Sequence, residues 1–163
     1  MLTPEQDKAV ALTVMNLRII LLMLIVSVSA FLIFIVVRLP RGEEGSNLRT
    51  IGLVAAAIAV VAAVAVPMKM ARQQGRPSAA NGVDPATPLL AGFQARSIVR
   101  GAILEGVAML NAFVYMQERQ PESLVAAIVL LLGVAVTIPF KARTAEWLER
   151  ELRLQRDARD LQA

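Results

Sequence analysis

The stretch SIVRGAILEGVAMLNAFVYMQ, residues 97–117, decides the fold, because it determines whether the chain crosses a membrane three or four times. It is long enough to span a bilayer core of about 30 Å, which takes roughly 20 helical residues. It nevertheless contains Glu105 inside an apolar run. Three other segments have no charged residue and predict membrane-spanning helices: 19–37, 51–68 and 123–140. Accepting Glu105 inside the membrane gives four spans.

The composition indicates a membrane protein and excludes several classes of function. Apolar residues make up 56% of the chain, whereas soluble domains contain about 45 to 50%. The chain has no cysteine and no histidine, which excludes disulfides, thiolate metal sites and thiol catalysis. Its net charge of +4 comes from basic residues beside the apolar segments, without alternating aromatic residues. We therefore expect membrane lipid as a partner, and neither nucleic acid, a metal nor a cofactor.

The distribution of lysine and arginine favours four crossings with both termini in the cytoplasm. Membrane proteins carry an excess of these residues in their cytoplasmic segments. With four crossings, all of the 17 basic residues lie on that side except Arg38, Arg41, Arg49 and Arg119. Three crossings would place the basic middle segment and the basic C-terminal tail on opposite sides. The sequence therefore predicts a multi-pass protein of the bacterial cytoplasmic (inner) membrane.

Two similar segments indicate an internal duplication. VAVPMKMAR, residues 64–72, closes the second span, and VAVTIPFKAR, residues 134–143, closes the fourth. The two helix starts also correspond, because Thr3 and Thr87 each precede a proline and predict N-caps, and Thr3 with Gln6 predicts a capping box. The favoured interpretation is two related hairpins rather than a chance repetition of apolar residues.

Two hairpins that run in the same sense predict an all-α fold. We expect a four-transmembrane-helix bundle built of two parallel helical-hairpin repeats, with a cytoplasmic C-terminal helix. The predicted units are an N-terminal tail and first hairpin (1–71), a cytoplasmic linker (72–87), a second hairpin (88–141) and the C-terminal helix (142–163). The linker is assigned by its glycines and prolines.

Glu105 should point into the helix bundle or at a neighbouring subunit rather than at lipid. It lies roughly 7 to 8 Å deeper in the membrane than Arg100, at about 1.5 Å per residue. It shares one helical stripe with three small residues typical of helix-packing surfaces, Gly101, Ala108 and Ala112. Polar residues expected near it are Thr137, Asn111 and, on the first span, Ser27 or Ser29, of which Ser27 lies opposite Glu105 when the two repeats are aligned.

Three interpretations of Glu105 remain open from these residues. The carboxyl group can fasten the third span to a hydroxyl or basic neighbour and so serve structure alone. It can instead bind and release a proton or, with further oxygen ligands, Na⁺. The third interpretation is contact with a lipid headgroup or a small solute.

The segment AILEGVAMLNAFVY, residues 102–115, resembles the carboxylate-bearing helix of rotary ATPase proteolipids, the c subunits. In both, a glutamate within small and aliphatic residues is followed about six positions later by a small residue and an aromatic. The resemblance implies that Glu105 is the ion-binding carboxylate of a ring. Two departures are that Glu105 lies on the first helix of its hairpin, and that residues 17–37 contain no glycine. The whole chain resembles uncharacterised small four-helix bacterial membrane proteins.

The C-terminal segment predicts a helix with a contact surface of its own. Trp147, Leu154 and Leu161 recur every seven residues, as in a short helix-pairing seam, and Leu148 with Leu152 forms a second stripe. The seam predicts self-association or docking on another protein. The alternative is a solvated helix whose Trp147 anchors at the membrane interface.

The sequence favours a protein without catalytic activity. No spacing of Asp, Glu, Ser or Lys matches a catalytic motif. We therefore expect an integral membrane protein that self-associates or belongs to a membrane complex, with a homo-oligomer or a membrane protein as partner. The alternative is a proton- or Na⁺-translocating, proteolipid-like subunit that uses Glu105.

Overall fold

The computed structural model describes residues 2–38, 48–73 and 84–160, and this part of the chain is helical and contains no strand. The helices are α1 (Pro4–Arg38), α2 (Leu48–Gln73), α3 (Ala86–Glu118), α4 (Pro121–Val136) and α5 (Lys141–Asp160). The predicted all-α class is confirmed. Most of the predicted linker lies outside the described residues, as does the connection between α1 and α2.

Three helices, α1, α2 and α3, are long and apolar enough to cross a membrane. The next helix, α4, has only 16 residues, which span roughly 24 Å at about 1.5 Å per residue. It is followed by α5 after a bend of 61°, and the bent pair counts as a fourth candidate span. Large apolar side chains are exposed along α1, α2 and α4, as expected of helices that contact lipid. The chain therefore has the character of a multi-pass membrane protein.

The central helix of the bundle is α3, which contacts all four other helices. It runs parallel to α1, since Gly101 lies against Leu21 and Arg119 reaches the Ile35 carbonyl. It runs antiparallel to α2 and α4. Within the described residues α1 and α2 do not contact each other, although they are consecutive in the chain. The first predicted hairpin is therefore held together through α3, and the relation of the two hairpins as parallel repeats stays a prediction.

Two apolar clusters stabilise the bundle. The larger joins α1, α2, α3 and α4 and includes Leu21, Leu104 and Leu130. The smaller lies where the starts of α1 and α3 meet α5, and Leu148 and Leu152 of α5 are buried in it. We call this the terminal end of the bundle. The burial of Leu148 and Leu152 shows that α5 docks on its own chain through the stripe that these two residues form.

The start of α1 confirms the predicted capping box. Thr3 Oγ1 accepts a hydrogen bond from the Gln6 N–H at 3.3 Å, and Gln6 Oε1 accepts one from the Thr3 N–H at 3.1 Å. The corresponding prediction for Thr87 is wrong. Helix α3 begins at Ala86, whose N–H donates to the Asp84 carboxylate at 3.1 Å. Asp84 also accepts from Gln6 Nε2 at 3.2 Å, so it links the two helix starts.

The bend between α4 and α5 shows why the predicted fourth span is shorter than expected. Pro139 has no N–H, so it removes one backbone hydrogen bond of a continuing helix. Thr137 Oγ1 donates to the Val134 carbonyl at 2.7 Å. The Pro139 carbonyl accepts from Arg18 Nε at 3.1 Å, and the Arg18 guanidinium lies 5.9 Å from the centre of the Phe140 ring. A side chain of α1 therefore satisfies the backbone at the point where α4 ends.

Candidate functional site

Glu105 is half-buried at the contact between α1 and α3. This contact is close because Gly101, one turn earlier, has no side chain. A Cβ atom at position 101 would lie 2.6 Å from Leu21 Cδ2. Ala108 and Ala112, which follow on the same stripe of α3, are fully buried. The small residues pack against neighbouring helices, and the carboxyl group of Glu105 lies at the margin of that packed surface.

Ser27 contacts Glu105 across the two helices. Its Oγ atom lies 3.3 Å from Glu105 Oε1 and 2.9 Å from the Leu24 carbonyl oxygen. The hydroxyl has one hydrogen and two lone pairs. When it donates to Glu105, the carboxyl group gains one hydrogen-bond partner, and when it donates to the Leu24 carbonyl, its lone pairs remain to accept from another donor. The Glu105–Ser27 pair therefore retains hydrogen-bonding capacity in either arrangement.

The other two polar candidates lie elsewhere. Thr137 donates to its own helix, and no described hydrogen bond joins it to Glu105. Asn111 is fully buried between α3 and α2, where Nδ2 donates to the Gly52 carbonyl at 3.1 Å and to the Val107 carbonyl at 3.0 Å. Of the four predicted residues, the structure brings together only Glu105 and Ser27. Among the described residues, no group of three or more acidic, histidine or cysteine side chains is placed to hold a metal ion.

The surface beside the Glu105–Ser27 pair is uncovered. Ala102 and Gly106 of α3 are exposed, and a Cβ atom at position 106 would have no neighbour within 4 Å. Leu110 and Phe113 continue the same exposed side of α3, with 37% and 44% of their surface exposed. We call this surface the open face: Ser27 of α1 with Ala102, Glu105, Gly106, Leu110 and Phe113 of α3. It combines two small residues, two polar side chains and an apolar margin.

The three residues of the predicted C-terminal seam have different positions. Trp147 is half-buried against its own chain, with its ring centre 5.1 Å from that of Phe93. Leu154 is 56% exposed. Leu161 lies outside the described residues. The docking of α5 uses Leu148 and Leu152 together with Trp147 of the seam, and a contact of Leu154 with a partner stays a prediction.

A second carboxylate of α3, Glu118, was not predicted as a site residue. It is 5% exposed at the end of α3, and its two oxygens accept the backbone N–H groups of Leu48 at 2.9 Å and Arg49 at 3.0 Å. It thereby caps the start of α2 from another helix. Its spacing of seven residues from Asn111 places both side chains on the α2-facing side of α3, which is the signal that could have identified it.

Arginines that donate to backbone carbonyls of other helices were also missed. Arg100 Nε donates to the Ala63 carbonyl of α2 at 3.0 Å. In an uninterrupted helix that carbonyl would accept from residue 67, but Pro67 has no N–H. Arg100 therefore supplies the donor that the proline removes. The sequence indicated a need for such a donor, because Pro67 lies inside an apolar segment and leaves one carbonyl without a helical partner. Arg100, at the start of the next apolar segment, was the basic residue that could supply it.

Comparison with protein-family models, curated proteins and solved structures gave no match to this chain.

Proposed function

We propose that this chain is a multi-pass protein of the bacterial cytoplasmic membrane that has no catalytic activity and self-associates through the open face. Both termini lie in the cytoplasm in this proposal, in keeping with the excess of basic residues on that side. The observation that carries the proposal is the Glu105–Ser27 pair, in which the two oxygens are 3.3 Å apart on an uncovered side of α3.

A polar pair on the outer surface of a membrane helix is costly when it contacts lipid. A charged side chain at the centre of a membrane helix costs about 3 kcal/mol on insertion scales. In the part of the chain that the structure describes, Ser27 is the one hydrogen-bond partner of the Glu105 carboxyl group, and both side chains there retain unused hydrogen-bonding capacity. A second protein surface that supplies further polar groups lowers this cost. Burial of the Glu105–Ser27 pair against a second protein surface therefore favours association.

The residues around the pair favour a second copy of the same chain as the partner. Ala102 and Gly106 are spaced four apart, and small residues at this spacing let membrane helices approach closely. The Ser27 hydroxyl donates hydrogen bonds and the Glu105 carboxyl group accepts them, so the pair is complementary to itself across a two-fold axis. A homo-oligomer, in most cases a dimer, then buries the same surface on both copies.

The two helices that contribute the pair also support the proposed duplication. Aligning the repeats makes Ser27 the counterpart of Glu105, and these side chains meet where α1 and α3 run parallel. Corresponding positions of two parallel helices lie at the same depth, which is what the aligned repeat requires. We propose that α1 with α2 and α3 with α4 derive from one ancestral hairpin.

Filling the open face is expected to weaken self-association without unfolding the chain. Leucine in place of Gly106 has free space in the monomer but blocks close approach of a second helix. One lost helix contact of about 1 kcal/mol weakens association about fivefold. The measurement is energy transfer between protomers diluted in lipid vesicles, each labelled at an Asp157→Cys substitution. The chain has no cysteine of its own, so the label is specific.

The matched control for Gly106→Leu is Ala65→Leu, which adds a leucine at an exposed position of α2. It should leave the energy transfer unchanged. Glu105→Leu should weaken association by a similar factor to Gly106→Leu, because it removes the polar contact. If Gly106→Leu and Ala65→Leu associate as the unmodified chain does, the open face is not the contact surface.

A second candidate function is ion translocation by a proteolipid-like oligomer. The observation that favours it is the same pair of oxygens, Glu105 Oε1 and Ser27 Oγ, at one place in a membrane helix. Hard cations such as Na⁺ bind several oxygen ligands. Within one chain the pair provides few, so the neighbouring copy has to supply the others, as in a ring.

Carbodiimide labelling in native membranes distinguishes the two candidates. Dicyclohexylcarbodiimide modifies protonated carboxyl groups in apolar surroundings, and intact mass with a Glu105→Gln control assigns the label to Glu105. For a structural contact, we expect the labelling rate to be independent of Na⁺. Protection by Na⁺ that varies with pH would instead support the ion site, and flux measurements would follow.

A further inference from the structure

A cavity of about 230 Å³ lies between α2, α3 and α5, away from the open face. It lies near the terminal end of the bundle, beside the cytoplasmic margin of the apolar parts of α2 and α3 in the proposed topology. Its wall combines two arginines, a serine, two aromatic rings and three apolar residues. The lining residues are Pro67, Met68, Ala71, Phe93, Arg96, Ser97, Arg100 and Trp147.

Arg100 is held in this cavity by the backbone of α2. Its Nε atom donates to the Ala63 carbonyl at 3.0 Å, the carbonyl that Pro67 leaves without a helical donor. This bond uses one of the five N–H groups of the guanidinium. No hydrogen bond among the described residues uses the remaining donors, so they can serve a ligand, and the bound Nε limits the directions in which they point.

Arg96 is held in a similar way one turn earlier. Its Nε atom donates to the Gly92 carbonyl at 3.0 Å, and its guanidinium carbon lies 5.7 Å from the centre of the Trp147 ring. Trp147 in turn packs against Phe93. The cation–π contact and the backbone bond together position the guanidinium before any ligand binds.

The two arginines form a site of uncompensated positive charge. They are four residues apart on one helix, so their charges repel each other. Neither forms a salt bridge with a carboxylate of the described residues. An anion between them would remove this repulsion and accept charge-assisted hydrogen bonds from both. Ser97 offers a hydroxyl donor in the same cavity.

We propose that this cavity binds the phosphate group of an anionic phospholipid. The chemistry of the arginines suits any phosphate, but the surroundings favour a lipid. Met68 lines the cavity and is 58% exposed, so the cavity is continuous with the apolar surface of α2. Basic pockets between membrane helices on the cytoplasmic side are typical headgroup sites. The lipid would join α5 to α2 and α3. This inference depends on the membrane location and not on self-association.

The single tryptophan of the chain, Trp147, provides the measurement, because it lies in the cavity. The protein is reconstituted in phosphatidylcholine vesicles with increasing mole fractions of a lipid that carries a quenching spin label near its headgroup. The label is placed either on phosphatidylglycerol, which is anionic, or on phosphatidylcholine. We expect half-maximal quenching of Trp147 at a lower mole fraction of the anionic lipid, by about fivefold or more.

Substitutions of the arginines test the assignment to this cavity. Arg96→Gln keeps the bond between Arg100 and α2, so the fold is preserved, and we expect it to reduce the preference for the anionic lipid about fivefold. Arg96→Gln with Arg100→Gln should abolish the preference. Arg143→Gln and Arg150→Gln remove the same charge from exposed positions of α5 and should retain it. Circular dichroism verifies that each variant is folded.

Three outcomes would overturn the proposal. The first is equal quenching by both labelled lipids in the unmodified protein. The second is an equal loss of preference in Arg96→Gln and Arg143→Gln. The third concerns the source of the phosphate. If inorganic phosphate, compared with chloride at the same ionic strength, abolishes the lipid preference, the cavity binds a free anion. Self-association is measured separately by energy transfer, so failure of either proposal leaves the other standing.

Discussion

Replacing Glu118 with alanine is expected to destabilise the helical bundle by about 3 kcal/mol. Glu118 is 5% exposed, and its carboxylate oxygens accept the N–H groups of Leu48 and Arg49 at 2.9 and 3.0 Å. These N–H groups belong to the first turn of α2 and have no partner within that helix. A negative charge at this position also interacts favourably with the helix dipole. Alanine leaves both donors without this acceptor.

Unfolding by sodium dodecyl sulfate in mixed micelles, followed by far-UV circular dichroism, measures the loss. The control is Glu122→Ala, since Glu122 is 44% exposed and pairs with Arg49 at 3.3 Å. An exposed ion pair of this kind contributes less than about 1 kcal/mol. Glu118→Gln should have an intermediate effect, because one oxygen remains as an acceptor. Equal losses for Glu118→Ala and Glu122→Ala would show that the carboxylate does not cap α2.

The parts of this fold that the sequence predicts are those determined by local chemistry. Long charge-free segments become helices because their backbone groups have to be satisfied within the segment. The capping box of Thr3 and Gln6 is confirmed because its two hydrogen bonds join residues three apart. Ser27, which lies 3.3 Å from Glu105, was one of three hydroxyl residues that the sequence offered as its partner, beside Ser29 and Thr137.

The arrangement of the helices around α3 is a property that the sequence does not reveal. Consecutive membrane helices were expected to pack as hairpins, yet α1 and α2 have no contact in the described residues. Packing between membrane helices depends on side-chain fit and on hydrogen bonds rather than on hydrophobicity, which is similar on all sides. For the same reason, similar depth in the membrane was not enough to identify the hydrogen-bond partner of Thr137. Its hydroxyl donates to the Val134 carbonyl of its own helix rather than to Glu105.

The two similar proline motifs illustrate how context changes the outcome. Pro67 lies within α2, which continues to Gln73, because Arg100 satisfies the freed carbonyl of Ala63. Near Pro139 the chain bends instead. There Thr137 takes the Val134 carbonyl as its own hydrogen-bond acceptor, which competes with helix continuation. The proline motif does not show whether another helix supplies a hydrogen-bond donor to the freed carbonyl. The sequence therefore predicted for both motifs a helix that tolerates its proline.

Introducing alanine at Gly52 is expected to destabilise the bundle by about 2 kcal/mol, because it separates α2 from α3. The new Cβ atom would lie 2.9 Å from Asn111 Oδ1 and 3.4 Å from Val114 Cγ2. The Asn111 side chain is fully buried, and its Nδ2 atom is bound to the Gly52 and Val107 carbonyls. It cannot move aside without losing a hydrogen bond to α2.

The control for Gly52→Ala is Gly133→Ala in α4, measured by the same unfolding in micelles. A Cβ atom there would lie 3.5 Å from Leu104 Cδ1, an ordinary contact, so the change should be neutral or stabilising by up to about 1 kcal/mol.

A double-mutant cycle tests the cause of the expected loss at Gly52. If contact with Asn111 is responsible, Gly52→Ala should cost much less in an Asn111→Ala background, with a coupling of about 1 kcal/mol. The structure predicts this because Oδ1 of Asn111 is the nearest atom to the added methyl group. Additive losses would place the strain at Val114 instead, where the contact is longer. Coupled losses would establish that the close approach of α2 to α3 at Gly52 depends on the fit between this glycine and the buried Asn111 side chain.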